Sequence, residues 1–224
     1  MATGALVALS ACSSDSGSAP ADTGSAPAEK SSAPPSTTGG STVGAPPDAE
    51  VLGTPRVGEP FTLTIEEDPD DPKPLKLKVT VERVTCGKPI DPAVLAEEAE
   101  SIGEPTPTPT PESGKEFCVV SLEVANVGKS EAVWDTQSTV LLNVRDTAYN
   151  QTQDDYEYVS AYDSYWESRG RTGPVYGLNP GSKGPAFAVF QIPANTPPTT
   201  LWVYSKTLGL ADEEGTESGY LVRL

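Results

Sequence analysis

The stretch Leu75-Lys-Leu-Lys-Val-Thr-Val81 alternates apolar and polar residues without a break. Successive side chains of a β-strand point to opposite faces, so this pattern predicts a strand with one buried face and one face in water. Strands of this kind are typical of antiparallel sheets that pack on a core from one side. The stretch therefore predicts an antiparallel sheet.

Similar patterns occur on both sides of this stretch. Phe61–Ile65 shows the same alternation, and shorter apolar runs follow it, separated by Gly, Pro and Asn. The further predicted strands cover residues 117–127, 140–144, 187–192 and 201–204, with a last one at 220–222. So many short strands favour an all-β fold, an antiparallel β-sandwich.

One short helical insertion is predicted within the sandwich, over residues 92–102. Asp91 is a favourable N-cap residue, Pro92 occupies the first helical position, and Gly103 follows the end. Residues 105–111 then alternate Pro and Thr, which excludes both a helix and a central strand. We expect an exposed, extended loop there.

The N-terminal residues predict export and a lipid anchor. Leu9-Ser10-Ala11-Cys12 ends a short apolar stretch and fits the lipobox of a bacterial lipoprotein, with 1–11 as signal peptide and Cys12 as the lipidated residue. Residues 1–11 contain no Lys or Arg, so we expect the signal peptide to start upstream of Met1. Two or three acyl chains, palmitate among them, hold a protein firmly on a membrane. The expected location is the extracytoplasmic face of the cell membrane.

The residues after Cys12 have a different composition from the rest of the chain. They are mostly Ser, Ala, Pro, Thr and Gly, which bury too little apolar surface to offset the entropy of ordering. Residues 12–48 are therefore predicted to be a disordered tether, and residues 49–224 the folded domain.

The chain contains three cysteines. If Cys12 is lipidated, Cys86 and Cys118 remain as a pair in an oxidising compartment, where such pairs normally form disulfides. A metal or redox site formed by two cysteines is the alternative, but the sequence has no C-x-x-C spacing and no His. We therefore predict a disulfide that joins the two ends of the helical insertion.

Composition excludes several classes of function. The net charge is −17, with 15 basic residues scattered among 32 acidic ones, which argues against nucleic acid as a partner. The absence of His excludes Ser-His-Asp catalysis and the H-E-x-x-H zinc proteases. The acidic runs at 66–71 and 154–157 lack the spacing of a calcium loop. No catalytic residues, metal site or cofactor are therefore predicted.

Four motifs resemble one known family. They are Phe117-Cys-Val-Val-Ser-Leu-Glu-Val-Ala-Asn-Val-Gly128, Leu178-Asn-Pro-Gly181, Phe190-Gln-Ile-Pro193 and Leu201-Trp-Val-Tyr204, and they resemble the immunoglobulin-like domain of unknown function 4352. The resemblance covers residues 55–205 and implies a β-sandwich on a bacterial surface, similar in fold to a secreted immunoprotective antigen of mycobacteria. It implies no catalytic residues. Asn126, Gly128, Pro180 and Gly181 are interpreted as turn residues and Phe190 as core.

Residues 154–167 are the best candidate for a recognition surface. Rigid aromatic rings beside carboxylates can pack on sugar faces while the acids accept hydrogen bonds from hydroxyl groups. The candidate ligand-binding residues are Tyr156, Tyr158, Tyr162, Tyr165 and Trp166, facing an envelope glycan or a surface protein. The alternative is that these rings pack a long connection onto the sandwich.

The sequence thus predicts a lipid-anchored surface protein with a non-catalytic domain for binding or envelope organisation. A carboxylate-dependent glycan hydrolase is the alternative, since two suitably spaced Asp or Glu suffice for that reaction. A passive structural lipoprotein is the third possibility.

Overall fold

The computed structural model describes residues 43–65, 74–103, 105–106, 108–137, 139–205 and 217–224, all of them within one compact unit. The predicted signal peptide, Cys12 and most of the predicted tether lie outside the described residues. The strands are β1 (Glu50–Gly53), β2 (Phe61–Ile65), β3 (Leu75–Cys86), β4 (Lys115–Asn126), β5 (Val140–Val144), β6 (Thr147–Tyr149), β7 (Lys183–Pro193), β8 (Thr200–Tyr204) and β9 (Ser218–Arg223). The helices are α1 (Pro92–Ile102), α2 (Gln153–Glu167) and a 3-10 helix (Pro174–Tyr176).

The described strands form two sheets packed face to face. One sheet has the order β2-β3-β4-β7 and the other the order β1-β9-β8-β5-β6. The described pairings are antiparallel except for β1, which runs parallel to β9. The predicted β-sandwich is confirmed. The short strands β1 and β6 and the helix α2 are additions to the predicted elements.

The alternation in β3 has the expected consequence. Leu75, Leu77, Val79 and Val81 are buried, whereas the lysines between them are exposed. The buried side chains pack with those of the facing sheet, including Leu142, Leu201, Val203 and Val222. The hydrophobic core therefore lies between the two sheets.

The outer face of β4 and β7 is also covered, because α1 and α2 pack on it. The side chains at this second interface are Ile90, Val94, Leu95, Phe117, Ala161, Tyr162, Phe187 and Val189. Strand β7 is consequently buried on both faces, with Phe190 in the sandwich core and Val189 under the helices. This double burial explains why residues 186–190 form a continuous apolar run instead of an alternating one.

Helix α1 has the predicted bounds. The Asp91 carboxylate accepts a hydrogen bond from the Ala93 amide at 2.9 Å, and Gly103 ends the helix in the left-handed conformation (φ 73°). A left-handed residue at this position satisfies the last carbonyls of a helix, and glycine adopts it without strain.

The predicted disulfide between Cys86 and Cys118 is present in the structure. The two cysteines lie directly opposite each other on β3 and β4. Along the chain, helix α1 and the described part of the Thr-Pro loop come after β3 and before β4. The bond therefore joins the two ends of the insertion, as the sequence predicts.

The motif residues of the resemblance have structural roles. The buried Asn126 side chain donates to the carbonyl oxygens of Ser130 and Leu178, at 2.7 Å each, and accepts from the Gly128 amide at 2.8 Å. Gly181 has φ 81° and donates its amide to the Asn126 carbonyl oxygen. These contacts hold two loops together at the end of β4, which confirms the interpretation as turn residues.

Candidate functional site

Helix α2 carries the five aromatic residues proposed from the sequence. Thr152 Oγ1 accepts a hydrogen bond from the Asp155 amide at 3.3 Å, and the Asp155 carboxylate accepts one from the Thr152 amide at 2.8 Å. This reciprocal capping satisfies amides that a helix leaves unpaired at its start. Residues 154–167 were predicted as a connection, so the prediction of a single helical insertion is incomplete.

Two of the five aromatic residues pack against the sandwich. Tyr162 stacks on Phe187 of β7 with ring centroids 4.5 Å apart, and Tyr158 contacts Phe117 of β4 edge to face at 5.5 Å. Burial raises the pKa of both phenols above the usual range. These rings join α2 to the sheet, which is the role that the alternative interpretation gave them.

Two others lie half-buried at the end of α2, where Tyr165 and Trp166 meet edge to face at 5.4 Å. The Arg169 guanidinium lies 3.6 Å from the centre of the Tyr165 ring, and that of Arg171 lies 4.7 Å from the centre of the Trp166 ring. Both distances are within the range of cation–π attraction. We call these four side chains the aromatic–arginine patch.

Arg169 is held in place by further contacts. Its Nη1 donates to the Tyr165 carbonyl oxygen at 2.9 Å and forms an ion pair with Glu97 of α1 at 3.1 Å. Hydrogen bonds from Ser168 and then from Arg169 lower the pKa of the Glu97 carboxyl. Arg171, in contrast, forms no ion pair with any residue that the structure describes. Arg169 is therefore held in one position by groups of the protein, whereas the guanidinium of Arg171 is available to pair with a ligand.

The fifth aromatic residue, Tyr156, lines a cavity between α2, the segment 134–137 and the 3-10 helix. The cavity has a volume of about 100 Å³. Trp134, Asp163 and Phe187 are buried residues of its lining, and Asp135 and Ser160 are exposed residues of it. The Tyr156 hydroxyl donates to the Gln137 carbonyl oxygen at 3.0 Å. The cavity is therefore half open, and two carboxyl groups line it, the buried Asp163 and the exposed Asp135.

Asp163 is the most perturbed acid of the described chain. Burial, and after it the negative charge of Asp135, raises the pKa of its carboxyl from 3.8 to about 7. Asp163 forms no hydrogen bond with a described residue. A perturbed pKa in a cleft is a marker of functional sites.

A neighbouring group of buried polar residues has a structural explanation. Gln151 accepts a hydrogen bond from the Val189 amide at 2.9 Å, and Thr136 donates to the Phe187 carbonyl oxygen. Gln191 donates to Asp155 at 3.1 Å. Gln151 and Thr136 thus pair with the free backbone edge of β7, and Gln191 ties β7 to the start of α2, so these side chains complete the structure and are not candidates for ligand binding.

The remaining residues considered from the sequence are the predicted lipidation site and the two acidic runs. Cys12 and the acidic run 66–71 lie outside the described residues. In the acidic run 154–157, Asp155 is used as a helix cap. In the described ranges no group of three or more His, Cys, Asp or Glu is placed to hold a metal ion. Among the helices of those ranges, none has the length and hydropathy that a membrane crossing needs.

Sequence reasoning identified the patch only in part. It singled out Tyr165 and Trp166, but the arginines come directly after the segment 154–167 and were not included. The cavity was missed because its residues come from four separate parts of the chain. The aromatic spacing of α2, with Tyr158, Tyr162, Tyr165 and Trp166 on one side, is the signal that could have revealed the helix.

Comparison with solved structures finds likenesses of low sequence identity. A conserved hypothetical protein of Bacillus anthracis is 24% identical over 65% of this chain and 90% of its own, with a TM-score of 0.39. An uncharacterised β-sandwich protein of Clostridium difficile is 13% identical over 77% and 95%, with a TM-score of 0.40. The secreted protein MPT63 of Mycobacterium tuberculosis is 10% identical over 77% and 98%, with a TM-score of 0.43. A search of curated proteins finds no match.

Comparison with protein families identifies the family. The family described as a domain of unknown function, DUF4352, matches residues 76–212. That range is more than half of the chain and contains all four motifs that carried the resemblance. The resemblance is confirmed, and the chain belongs to the DUF4352 family of β-sandwich domains.

Proposed function

We propose that this protein is a lipid-anchored, extracytoplasmic and non-catalytic binding protein, and that its aromatic–arginine patch contacts an anionic glycan of the cell envelope. The observation that supports the binding surface is the stacking of two guanidinium groups on two adjacent aromatic rings at the end of α2. The lipobox at Cys12 and the tether composition support the anchor and the location.

The chemistry of the patch fits a sugar polymer that carries acidic groups. Aromatic rings pack well against the apolar faces of sugars, since they supply a large rigid surface. A guanidinium group stacked on a ring is preoriented, so its N–H groups can pair with a carboxylate or phosphate at a small entropic cost. Arg171 has this geometry and no described ion-pair partner.

The negative net charge of the molecule would restrict where an anionic polymer can bind. At a net charge of −17 most of the surface repels an anionic polymer. Two neighbouring arginines on such a surface define one place where the polymer can approach. The patch would therefore decide both the affinity and the orientation of the bound domain.

Co-sedimentation with purified envelope polysaccharide tests this proposal. The chain is used with Cys12→Ser, so that no lipid contributes to sedimentation, and is compared with the same chain carrying Arg171→Ala, Trp166→Ala or the control Lys129→Ala. We expect saturable binding that weakens about tenfold or more with Arg171→Ala, because charge-assisted hydrogen bonds contribute roughly 1.5 to 3 kcal/mol. Lys129 is exposed and outside the patch, so its loss should leave binding unchanged.

The two alternative functions, a glycan hydrolase and a passive structural protein, would give different results in the same co-sedimentation experiment. A glycan hydrolase would release soluble fragments, and that release would have to disappear with substitutions of carboxylates. The cavity of about 100 Å³ that contains Asp135 and Asp163 is below the usual 300 to 1,000 Å³ of ligand pockets, which disfavours a sugar ring there. No binding by any variant would instead indicate a passive structural protein.

A further inference from the structure

The Thr-Pro loop between α1 and β4 is a feature of the chain that the aromatic–arginine patch does not use. Thr106, Thr108 and Thr110 are exposed in this loop, whereas Pro109 and Pro111 are half-buried. The alternation of the sequence therefore turns the last two prolines toward the domain and leaves the threonines in solvent. Three hydroxyl groups are presented along one short stretch of exposed chain.

The hydroxyl groups of these three threonines make no hydrogen bond with any residue that the structure describes. By contrast, the hydroxyl groups of Thr136, Thr139 and Thr199 each donate to a backbone carbonyl oxygen of the fold. Hydrogen bonding within the domain therefore does not explain why threonine recurs in the loop.

The alternating prolines restrict the backbone of the loop. Proline fixes its own φ at about −65° and disfavours the helical region for the residue before it. Each of the three threonines precedes a proline, so the segment favours a polyproline II conformation. This conformation has no internal hydrogen bonds, and its backbone is solvated. Because it is preformed, such a segment can enter the groove of another protein at a small entropic cost.

Both ends of the loop are fixed on the domain. Helix α1 ends at Gly103, whose amide donates to carbonyl oxygens of the last helical turn. At the other end, the Glu112 amide donates to Gln191 Oε1 at 2.8 Å, and the Glu112 carboxylate pairs with Lys115 Nζ at 2.8 Å. The loop is therefore an exposed span between anchored ends, which an enzyme can reach without unfolding the domain.

We propose that Thr106, Thr108 and Thr110 are acceptors of O-linked sugars. Segments rich in threonine and proline are typical carriers of such sugars. Phosphate is another modification of threonine hydroxyl groups, but it adds a charge of about −2 per residue. A net charge of −17 opposes that addition, whereas a neutral sugar adds no charge. These sites rest on the export that the proposed function includes, but not on the aromatic–arginine patch.

The donor in this transfer is a sugar whose anomeric carbon is activated by a phosphate ester. A bond forms between that carbon and threonine Oγ1, while the bond between the carbon and the phosphate oxygen breaks. The phosphate leaves with the electron pair, and the hydroxyl proton passes to a base of the transferase. Residues 105–111 include no charged side chain, so the base comes from the transferase and not from the loop.

Peptide mass spectrometry of the full chain, isolated from its native host, tests the sites. After reduction of the disulfide, trypsin releases residues 84–115 as one peptide, because Pro89 blocks cleavage after Lys88. This peptide excludes Cys12, so no lipid contributes to its mass. We expect increments of sugar mass on the wild-type peptide, and fragmentation that preserves the sugars should assign them to the three threonines. A peptide of unmodified mass, or phosphate in place of sugar, would overturn the proposal.

Matched variants locate the modification. The triple variant Thr106→Val/Thr108→Val/Thr110→Val removes the hydroxyl groups with little change in shape, at exposed positions where the fold should be retained. The control Thr62→Val/Thr64→Val changes exposed threonines of β2, whose backbone is paired with β3. We expect complete loss of sugar from residues 84–115 of the triple variant and an unchanged level in the control. Sugar that persists in the triple variant would lie on another hydroxyl group and would contradict the proposal.

Fractionation of the same cells separates this result from the proposed location. Protein that lies in the membrane fraction without sugar would overturn the glycosylation sites and leave the proposed anchor intact. Protein that stays in the cytoplasm without sugar would contradict export, and the glycosylation sites with it. Sugar on the three threonines of membrane-bound protein would support both.

Discussion

Asp163 is an acid whose burial disfavours its ionised form. Its folded-state pKa is raised to about 7 from 3.8, so the folded protein retains a proton that the unfolded chain loses. The stabilisation from this carboxyl is fully present below pH 4 and is lost as the pH rises toward 7. At about 1.4 kcal/mol per pKa unit, the loss amounts to about 4 kcal/mol at most.

Asp163→Asn should remove this dependence, because an amide occupies the same space without titrating. We expect the difference in unfolding free energy between the variant and the wild type to increase in favour of the variant from pH 4 to pH 7 and to stay constant above. Urea unfolding across this range measures it. A constant difference at all pH values would show that Asp163 titrates normally in the folded state.

At the scale of single residues, some contacts can be predicted from the sequence and others cannot. Cys86 and Cys118 were predictable as a pair, because they are what remains after Cys12 is assigned to the lipid. Trp134 and Asp163 line the same cavity only because α2 packs on β7, and nothing in their local sequence indicates it. Long-range packing, not local pattern, creates the cavity.

Helices α1 and α2 differ in how clearly the sequence marks them. Asp91, Pro92 and Gly103 mark both ends of α1 with residues of known preference, and the predicted bounds are correct. The side of α2 that packs on the sheet consists largely of tyrosines. Because of their hydroxyl groups, these residues are interpreted as solvent-exposed when only the sequence is known. The reciprocal cap of Thr152 and Asp155 is a second local signal for a helix, besides the aromatic spacing of α2.

The capping of α2 leads to a prediction at the scale of the element. Thr152→Ala removes the acceptor of the Asp155 amide and should lower the free energy of unfolding by about 1 to 2 kcal/mol. Chemical denaturation monitored by circular dichroism measures the change. Thr110→Ala, an exposed substitution in the Thr-Pro loop, is the control and should have no effect. Equal stability of all three proteins would show that packing alone holds α2.

The disulfide between β3 and β4 makes a second contribution at this scale. It closes a loop with a sequence separation of 32 residues, which in the chain-entropy model stabilises the fold by about 4 kcal/mol. The double variant Cys86→Ala/Cys118→Ala should lose about that much in urea unfolding, and reductant should then have no further effect on it. Wild-type protein that unfolds at the same urea concentration with and without reductant would contradict this expectation.

At the scale of the whole molecule, contacts with the domain begin before its first strand. The Asn143 side chain donates to the Gly44 carbonyl oxygen at 2.7 Å, and Ala45 packs near the buried Trp202. These residues belong to the range 12–48 that was predicted as tether. Gly44 and Ala45 therefore lie on the outer face of the central strands β9, β8 and β5 of this sheet, so the folded part begins before residue 49.

The anchor itself leads to the last prediction. If Cys12 carries the lipid, Cys12→Ser should move the protein from the membrane fraction to the medium, or leave it with an uncleaved signal peptide. Ser14→Ala changes a neighbour of the acceptor residue without removing a thiol and should leave the protein on the membrane. Fractionation of the native host, with intact mass of the recovered protein, distinguishes these cases, since each acyl group adds a defined mass. Retention of the Cys12→Ser variant on the membrane would show that another part of the chain holds it there, and the aromatic–arginine patch would be the first surface to test.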